Sequence, residues 1–102
     1  MPVIQTDQDK ARLLELLRNN HTYPGDHRVQ IIVRQEEATV TRVLGVVAAH
    51  VGRADLSDRT VQVPSKNGSY VSLRIAVPMN APEDVIALYE LLDRTEGLLS
   101  YF

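Results

Sequence analysis

The segment PSKNGSYVSL, residues 64–73, decides the fold of this chain. Its pair Asn67-Gly68 is typical of the turn of a β-hairpin. From Tyr70 onwards the side chains alternate between polar and apolar, which is the period of a strand with one buried face. The run TVQV precedes the segment and ends at Pro64, which donates no hydrogen bond to a sheet. The segment therefore predicts a hairpin whose first strand lies at a sheet edge or ends there.

Three other segments have the spacing of an amphipathic helix. The first covers residues 6–20, and the second has a stripe of apolar residues, mostly valines, between residues 40 and 51. The third opens with Asn80 and has Glu83 three residues on, which is a capping-box pattern, and it ends at Gly97. These segments need a surface to lie on, because short helices are only marginally stable alone.

Two further strands complete the pattern: RVQIIV at residues 28–33 and the apolar C-terminus LLSYF. The order is a helix followed by β-α-β-β-α-β. Right-handed crossovers place both helices of such a unit on the same face of one antiparallel sheet. The predicted fold is therefore α+β: a ferredoxin-like βαββαβ two-layer sandwich. It forms a single domain over residues 1–102, with the extra N-terminal helix at 6–20 and the core at 26–102.

Composition narrows the class of protein. The chain has 102 residues, with 11 Lys and Arg against 13 Asp and Glu, and no cysteine. A nearly balanced charge argues against a dedicated nucleic-acid binder, and the lack of cysteine excludes disulfides and thiolate metal sites. The sequence shows neither a signal-peptide pattern nor an apolar run of about 20 residues. These features predict a small cytoplasmic protein.

The hairpin also carries a family resemblance. The spacing Ser65-x-x-Gly68-x-Tyr70-x-Ser72-Leu73 resembles the hairpin signature of the YbeD-like family of small bacterial proteins. The later LYELL, residues 88–92, and the LLELL that precedes Tyr23-Pro24 are similar to the helices of that family. The resemblance covers nearly the whole chain and is densest from Pro64 onwards. It implies a ferredoxin-like fold similar to ACT-type regulatory domains, and it implies no known reaction.

Three arginines are predicted on the sheet face that the helices leave bare. Arg28, Arg34 and Arg74 alternate with apolar residues of the two longest strands. Guanidinium groups bind carboxylate or phosphate through two parallel hydrogen bonds, so these arginines are candidate ligands of a small anion. Ile32 and Tyr70 are predicted on the same face as candidate interface residues. The same face is predicted to carry Gln30, Thr60, Gln62 and Ser72.

No catalytic residue, metal ligand or cofactor is predicted. His21, His27 and His50 lie on three different elements without the spacing of a metal site, and they are interpreted as surface or loop residues. The acidic residues of loops and first turns are explained by helix capping. The loop around Gly68 precedes a strand, whereas a phosphate-binding loop precedes a helix.

The predicted function is a non-catalytic regulatory or protein-interaction module, similar to ACT domains, with a protein partner that is most simply a second copy. An alternative is a small-anion or metabolite sensor that uses Arg28, Arg34 and Arg74. RNA binding is a third hypothesis, because RNA-recognition domains share the topology. It is less favoured, since the first strand offers no aromatic side chain on which a base could stack.

Overall fold

A computed structural model describes residues 6–102. In this part of the chain the helices are α1 (Asp7–Asn20), α2 (Glu37–His50) and α3 (Pro82–Asp93). The strands are β1 (Gly25–Arg34), β2 (Thr60–Pro64), β3 (Tyr70–Met79) and β4 (Leu98–Tyr101). The elements follow one another in the predicted order. None of the helices in residues 6–102 has both the length and the apolar character that crossing a bilayer requires.

The four strands form one antiparallel sheet in the order β2-β3-β1-β4. The central strands β1 and β3 pair along their full length, from Gly25 opposite Met79 to Arg34 opposite Tyr70. β2 lies at one edge of the sheet and ends at Pro64. Proline has no N–H group, and at the end of an edge strand this removes no hydrogen bond between strands. The predictions of an α+β fold with a four-stranded antiparallel sheet are confirmed.

One side of the sheet carries the whole core. The odd-numbered residues from His27 to Val33 in β1 and from Val71 to Met79 in β3 are buried there, with Ile31 directly opposite Leu73. Val43 and Val47 of α2 and Leu88 of α3 belong to the same hydrophobic cluster. Both helices therefore cover the same side of the sheet, and burial of this apolar surface is the main term that stabilises the domain.

The N-terminal helix α1 packs on α3 rather than on the other side of the sheet. Its buried residue, Leu17, joins the core cluster. Two ion pairs connect the helices, Lys10 with Glu90 at 3.4 Å and Arg18 with Glu83 at 3.1 Å. Exposed pairs of this kind contribute little to stability. Because α1 packs on α3, no helix of residues 6–102 covers the second side of the sheet.

The start of α3 differs from the predicted capping box. The N-cap residue is Ala81, one position later than the pattern indicated. The carboxylate of Asp84, and not that of Glu83, accepts hydrogen bonds from the N–H groups of Asn80 at 3.0 Å and Ala81 at 3.2 Å. Glu83 instead pairs with Arg18 of α1. Pro82 then occupies the first helical position, which suits its fixed φ and its missing N–H group.

The predicted hairpin forms between β2 and β3, through a loop at residues 65–69. Gly68 has φ of 76°, in the left-handed region that favours glycine, and its N–H donates to the carbonyl of Ser65 at 3.0 Å. The side-chain oxygen of Asn67 accepts a hydrogen bond from the N–H of Ser69 at 3.2 Å. The loop residues thus satisfy one another as a turn, which supports a structural role for this segment.

Candidate functional site

The side of the sheet that no helix of residues 6–102 covers is called the open face here. Residues directly opposite each other on paired strands point to the same side of a sheet. The pairing of β1 with β3 therefore places Arg28, Gln30, Ile32 and Arg34 together with Tyr70, Ser72, Arg74 and Ala76 on this face. The candidate anion ligands and the candidate interface residues all lie on it.

The side chains of β2 point to the opposite sides of the sheet from those predicted. Val61 is opposite Arg74 and Val63 is opposite Ser72, so the two valines lie on the open face. Thr60 and Gln62 lie on the helix side, and their predicted place on the open face is wrong. The reason is that the core does not extend fully under this edge strand, and Gln62 is exposed there. The open face is consequently more apolar than the sequence suggested.

The structure brings Arg28 and Arg74 together and leaves Arg34 apart. Arg28 is opposite Ala76, which makes Arg74 its diagonal neighbour on the adjacent strand. Diagonal neighbours have Cα atoms roughly 7–8 Å apart. Arg34 lies at the other end of β1, opposite Tyr70. It is six positions along the strand from Arg28, a distance of about 20 Å. A small anion can therefore contact two of the three predicted arginines at once.

A concavity of about 690 Å³ lies on the open face around Arg28 and Arg74, and it is called the arginine groove below. It is lined by Arg28, Val29, Gln30, Arg59, Val61, Arg74, Ile75, Ala76 and Phe102. Sequence reasoning missed Arg59, which precedes β2 and forms an ion pair with Asp26 at 3.0 Å between Nη1 and Oδ1. Its position could have been found only from the register of β2.

Phe102 is a second residue of the groove that sequence reasoning missed. Its N–H donates to the carbonyl of Gln30 at 2.9 Å, and its carbonyl accepts from the N–H of Gln30 at 2.8 Å. These bonds continue the pairing of β4 with β1 and place the ring on the open face, where 50% of the residue is exposed. Val61, 61% exposed, lies across the groove on β2. Two apolar side chains thus flank the arginines.

The charge of the open face differs from that of the rest of the molecule. The face and its margin hold four of the chain's 11 Lys and Arg residues and one of its 13 Asp and Glu residues, which leaves seven basic and 12 acidic residues elsewhere. Within residues 6–102, no carboxylate lies within ion-pair distance of Arg28, Arg34 or Arg74. The open face is therefore a positive surface on an acidic chain, and such a surface attracts anions.

The candidate interface residues occupy different parts of the open face. Ile32 is half-buried at the centre, opposite Ser72 on β3 and Ser100 on β4. Tyr70 is 44% exposed at the end of β3, next to Arg34. An apolar residue at the centre with an aromatic residue and arginines around it resembles the composition of protein interfaces.

One of the three histidines, His27, differs from the prediction: it is buried on the core side of β1. Its Nε2 lies 3.2 Å from the hydroxyl of Tyr89, and its ring centre lies 5.0 Å from that of His21. Its Nδ1 has no hydrogen-bond partner among the described residues. Burial lowers the pKa of His27, and the nearby charge of His21 lowers it further. The interpretation of His27 as a surface or loop residue is wrong.

The buried polar groups continue from His27 to the last strand. The ring of Tyr89 stacks on that of Tyr101, with centres 5.3 Å apart, and the hydroxyl of Tyr101 donates to Asp93 at 2.7 Å. Burial is the main cause of the raised pKa of Tyr101, and the bond to Asp93 adds to it. No group of three or more metal-ligating side chains occurs in the described part of the chain. The cluster joins β1, α3 and β4 inside the core.

Residues 18–101 match the family described as "Protein of unknown function (DUF493)". The chain belongs to this family. The match runs from the end of α1 to the end of β4, so this DUF493 chain contributes the whole sheet and all four arginines of the open face to the family region. Phe102 lies one residue beyond it. Comparisons with curated proteins and with solved structures gave no significant match. The prediction of a small family without a known reaction is confirmed.

Proposed function

We propose that this DUF493 protein is a non-catalytic interaction module that binds a protein partner on the open face. The observation that carries the proposal is the contrast between the two sides of the sheet. One side is a closed core, whereas the other exposes apolar residues such as Ile32, Val61 and Phe102 among arginines. Arginine and aromatic residues are enriched at protein interfaces, and exposed apolar patches mark interaction sites.

We also infer that the scaffold is the ferredoxin-like arrangement predicted from the sequence. The strand order β2-β3-β1-β4 and the two helices on one side of the sheet support this. The YbeD-like resemblance, its likeness to ACT-type regulatory domains and a cytoplasmic location belong to the same proposal. A regulatory role fits a scaffold that offers a surface to a partner, because fold alone assigns no chemistry.

The lining of the arginine groove supports binding rather than catalysis. Its polar side chains are those of Arg28, Arg59, Arg74 and Gln30. Guanidinium groups stay protonated in proteins, and an amide does not titrate. Side chains of these two kinds donate hydrogen bonds to a bound partner, and they are not the groups that ordinarily serve as general acids or bases.

Self-association is proposed at the sheet edges rather than through the open face. Two copies that paired face to face would bring four arginines of one copy against four of the other, and like charges in an interface disfavour a complex. The edge strands β2 and β4 are each bonded on one side only within residues 6–102. Unpaired strand edges can pair with another chain without bringing the arginines together.

Cross-linking in living cells tests the proposed function. A photoreactive amino acid is placed at Tyr70 on the open face and, as a control, at Arg42 on the exposed side of α2. We expect a discrete adduct from position 70 and little or none from position 42, because the partner covers only the open face. The substitution Ile32→Asn at the centre of the face should reduce the yield from position 70. Circular dichroism checks that this variant is folded.

The mass of the adduct identifies the kind of partner. An adduct of about twice 11.4 kDa indicates a second copy on the open face and would contradict self-association confined to the sheet edges, which sedimentation of the purified protein measures separately. A different mass indicates another protein. Equal yields from positions 70 and 42, or a yield that Ile32→Asn leaves unchanged, would contradict a role of the open face.

A small-anion sensor is the second candidate function. Arg28, Arg59 and Arg74 line one groove around the small side chain of Ala76, an arrangement that suits a carboxylate or phosphate. A ligand at 100 times its Kd adds about 2.7 kcal/mol to the free energy of unfolding. We expect Arg74→Ala to remove such a gain and Arg42→Ala to keep it, in thermal unfolding with a panel of carboxylates and phosphates at constant ionic strength. A panel without any stabilising compound would count against the sensor.

A further inference from the structure

We infer that the open face recognises an acidic segment of its protein partner, in which apolar side chains lie between the carboxylates. This inference rests on the proposed function and adds the chemistry of the partner. The segment extends along β1, with its carboxylates on the arginines and an apolar side chain in the arginine groove.

The unpaired arginines indicate the charge of the partner. Arg28, Arg34 and Arg74 have no carboxylate partner among residues 6–102. Other basic residues of this part of the chain, such as Arg42 and Arg53, also have none, but Arg28, Arg34 and Arg74 share one face of the sheet. Arg28 and Arg74 are also diagonal neighbours, so their positive charges repel each other. An incoming carboxylate relieves this repulsion and forms charge-assisted hydrogen bonds with guanidinium groups. An anionic partner therefore gains more here than a neutral one.

The length of the charged surface favours a chain segment over a single small anion. Arg28 and Arg34 are about 20 Å apart along β1, as their separation by six residues requires. An extended segment of six or seven residues has the same length. Such a segment can contact Arg28, Arg74 and Arg34 together, which a small carboxylate cannot do.

The residues between the arginines favour a protein over a nucleic acid. At the centre of the open face lie Gln30, Ile32 and Ser72, whereas RNA-recognition sheets carry aromatic rings there for base stacking. Ile32 and the exposed ring of Phe102 instead offer apolar contacts to side chains of a peptide.

A second copy of this chain does not supply the acidic segment in a closed dimer. Its own acidic residues lie mostly outside the open face, so they could reach the arginines of another copy only head to tail. Such a contact uses two different surfaces and grows into an open assembly unless the rotation closes a ring. The partner of the open face is therefore a different protein.

Fluorescence anisotropy with the whole protein tests this inference. The probe is a labelled 12-residue peptide in which glutamate alternates with serine and leucine, and the matched probe has glutamine in place of each glutamate. We expect the acidic peptide to bind with a Kd that rises with salt concentration, because the contact is electrostatic. The glutamine peptide should bind at least about tenfold more weakly, a ratio that corresponds to 1.4 kcal/mol. Equal binding of both peptides would overturn the inference.

Two double variants separate the groove from net charge. Arg28→Gln with Arg74→Gln should raise the Kd of the acidic peptide by about tenfold or more. Arg42→Gln with Arg53→Gln removes the same charge from exposed positions on and after α2, and it should change the Kd by less than about twofold. Phe102→Ala should weaken binding with the salt dependence unchanged. Equal effects of the two double variants, or tighter binding of a 12-residue oligouridine than of the peptide, would contradict an acidic protein partner.

The cell-based cross-link distinguishes failure of this inference from failure of the proposed function. An adduct at position 70 that persists in the Arg28→Gln, Arg74→Gln variant leaves the interaction module in place and overturns the acidic partner. If the adduct is lost in that variant and retained in the Arg42→Gln, Arg53→Gln variant, the result supports both the interaction module and the acidic partner. Absence of any adduct at position 70 overturns the proposed function itself.

Discussion

Replacing Leu73 with alanine is expected to lower the free energy of unfolding by about 2–5 kcal/mol. Leu73 is fully buried on the core side of β3, directly opposite Ile31. Truncation removes apolar contacts and leaves a cavity that the surrounding side chains fill only in part. Domains of this kind are stable by roughly 5–15 kcal/mol, so the loss is a large share of the total. Urea unfolding measures this loss as a lower midpoint concentration of urea, provided that the variant and the wild type have the same m-value, the slope of the free energy of unfolding against urea concentration.

The same truncation at Leu99 serves as the control. Leu99 lies on β4 and is 48% exposed, so Leu99→Ala should change the free energy of unfolding by no more than about 0.5 kcal/mol. Comparable losses at both positions would contradict the burial that separates them. The result bears on function, because the helices bury the apolar residues of one side of the sheet and so leave the other side free to bind a partner.

The hairpin at residues 64–73 could be predicted because its signals are local. A positive φ at Gly68 and the side-chain bonds of Asn67 are properties of four or five neighbouring residues. The strand that follows is long, and ten residues of strict alternation leave only one side that can be buried. The core side of β3 and the place of Arg74 on the open face follow from that alternation.

The side of the sheet to which the valines of β2 point could not be predicted. A strand of five alternating residues can lie with either set of side chains towards the helices. A strand in the middle of a sheet would turn Val61 and Val63 towards the core. At an edge the helices no longer cover the strand, and pairing with β3 decides which side chains share a face. Propensity in strands depends on such context more than on the residue itself.

The candidate site could be predicted only where it lies on the long strands. Arg28, Arg34 and Arg74 belong to periodic segments, and the structure places all of them on the open face. Arg59 and Phe102 lie at the ends of elements, where no periodic pattern indicates the direction of a side chain. Their contribution to the groove depends on contacts with Asp26 and Gln30, which are distant in sequence.

His27 escaped prediction for a related reason. Its neighbours in space, His21 at the end of α1 and Tyr89 of α3, come from different elements. In the sequence His27 stands just before the apolar alternation of β1, next to loop residues. Only the extension of β1 back to Gly25 turns its ring towards the core.

Lowering the pH from 7.5 to 5 is expected to destabilise the protein through His27. Burial and the charge of His21 lower its pKa in the folded state, whereas an unfolded histidine titrates near 6.5. Below about pH 6.5 the unfolded state therefore binds a proton more readily than the folded state, and stability decreases until the pH falls below the folded pKa. Hydrogen bonds from Ser57 lower the pKa of Asp55 below its usual 3.8, so that carboxyl titrates outside this window.

Replacing His27 with glutamine removes the titrating group, so the Tm of the variant should fall less between pH 7.5 and pH 5 than that of the wild type. At pH 7.5 the variant should be less stable by about 1 kcal/mol, because it alters the buried hydrogen bond to Tyr89. His50→Gln is the matched control: the Nε2 of His50 bonds to the carbonyl of Asp84, outside this cluster, so the substitution leaves His27 and its contacts in place and the fall in Tm that His27 causes should remain. If the Tm of the wild type and of His27→Gln fell equally between pH 7.5 and pH 5, His27 would not be the cause of the destabilisation.

His27 and Arg28 are neighbours on β1, yet they point to opposite sides of the sheet. Protonation of His27 acts on the core, through Tyr89 and His21, whereas salt acts on the exposed guanidinium of Arg28. At pH 7.5, His27→Gln should therefore bind the acidic peptide with the wild-type Kd and salt dependence. A change in either would show that the two sides of this strand are coupled, and peptide affinity would then follow the stability of the core rather than the arginines alone.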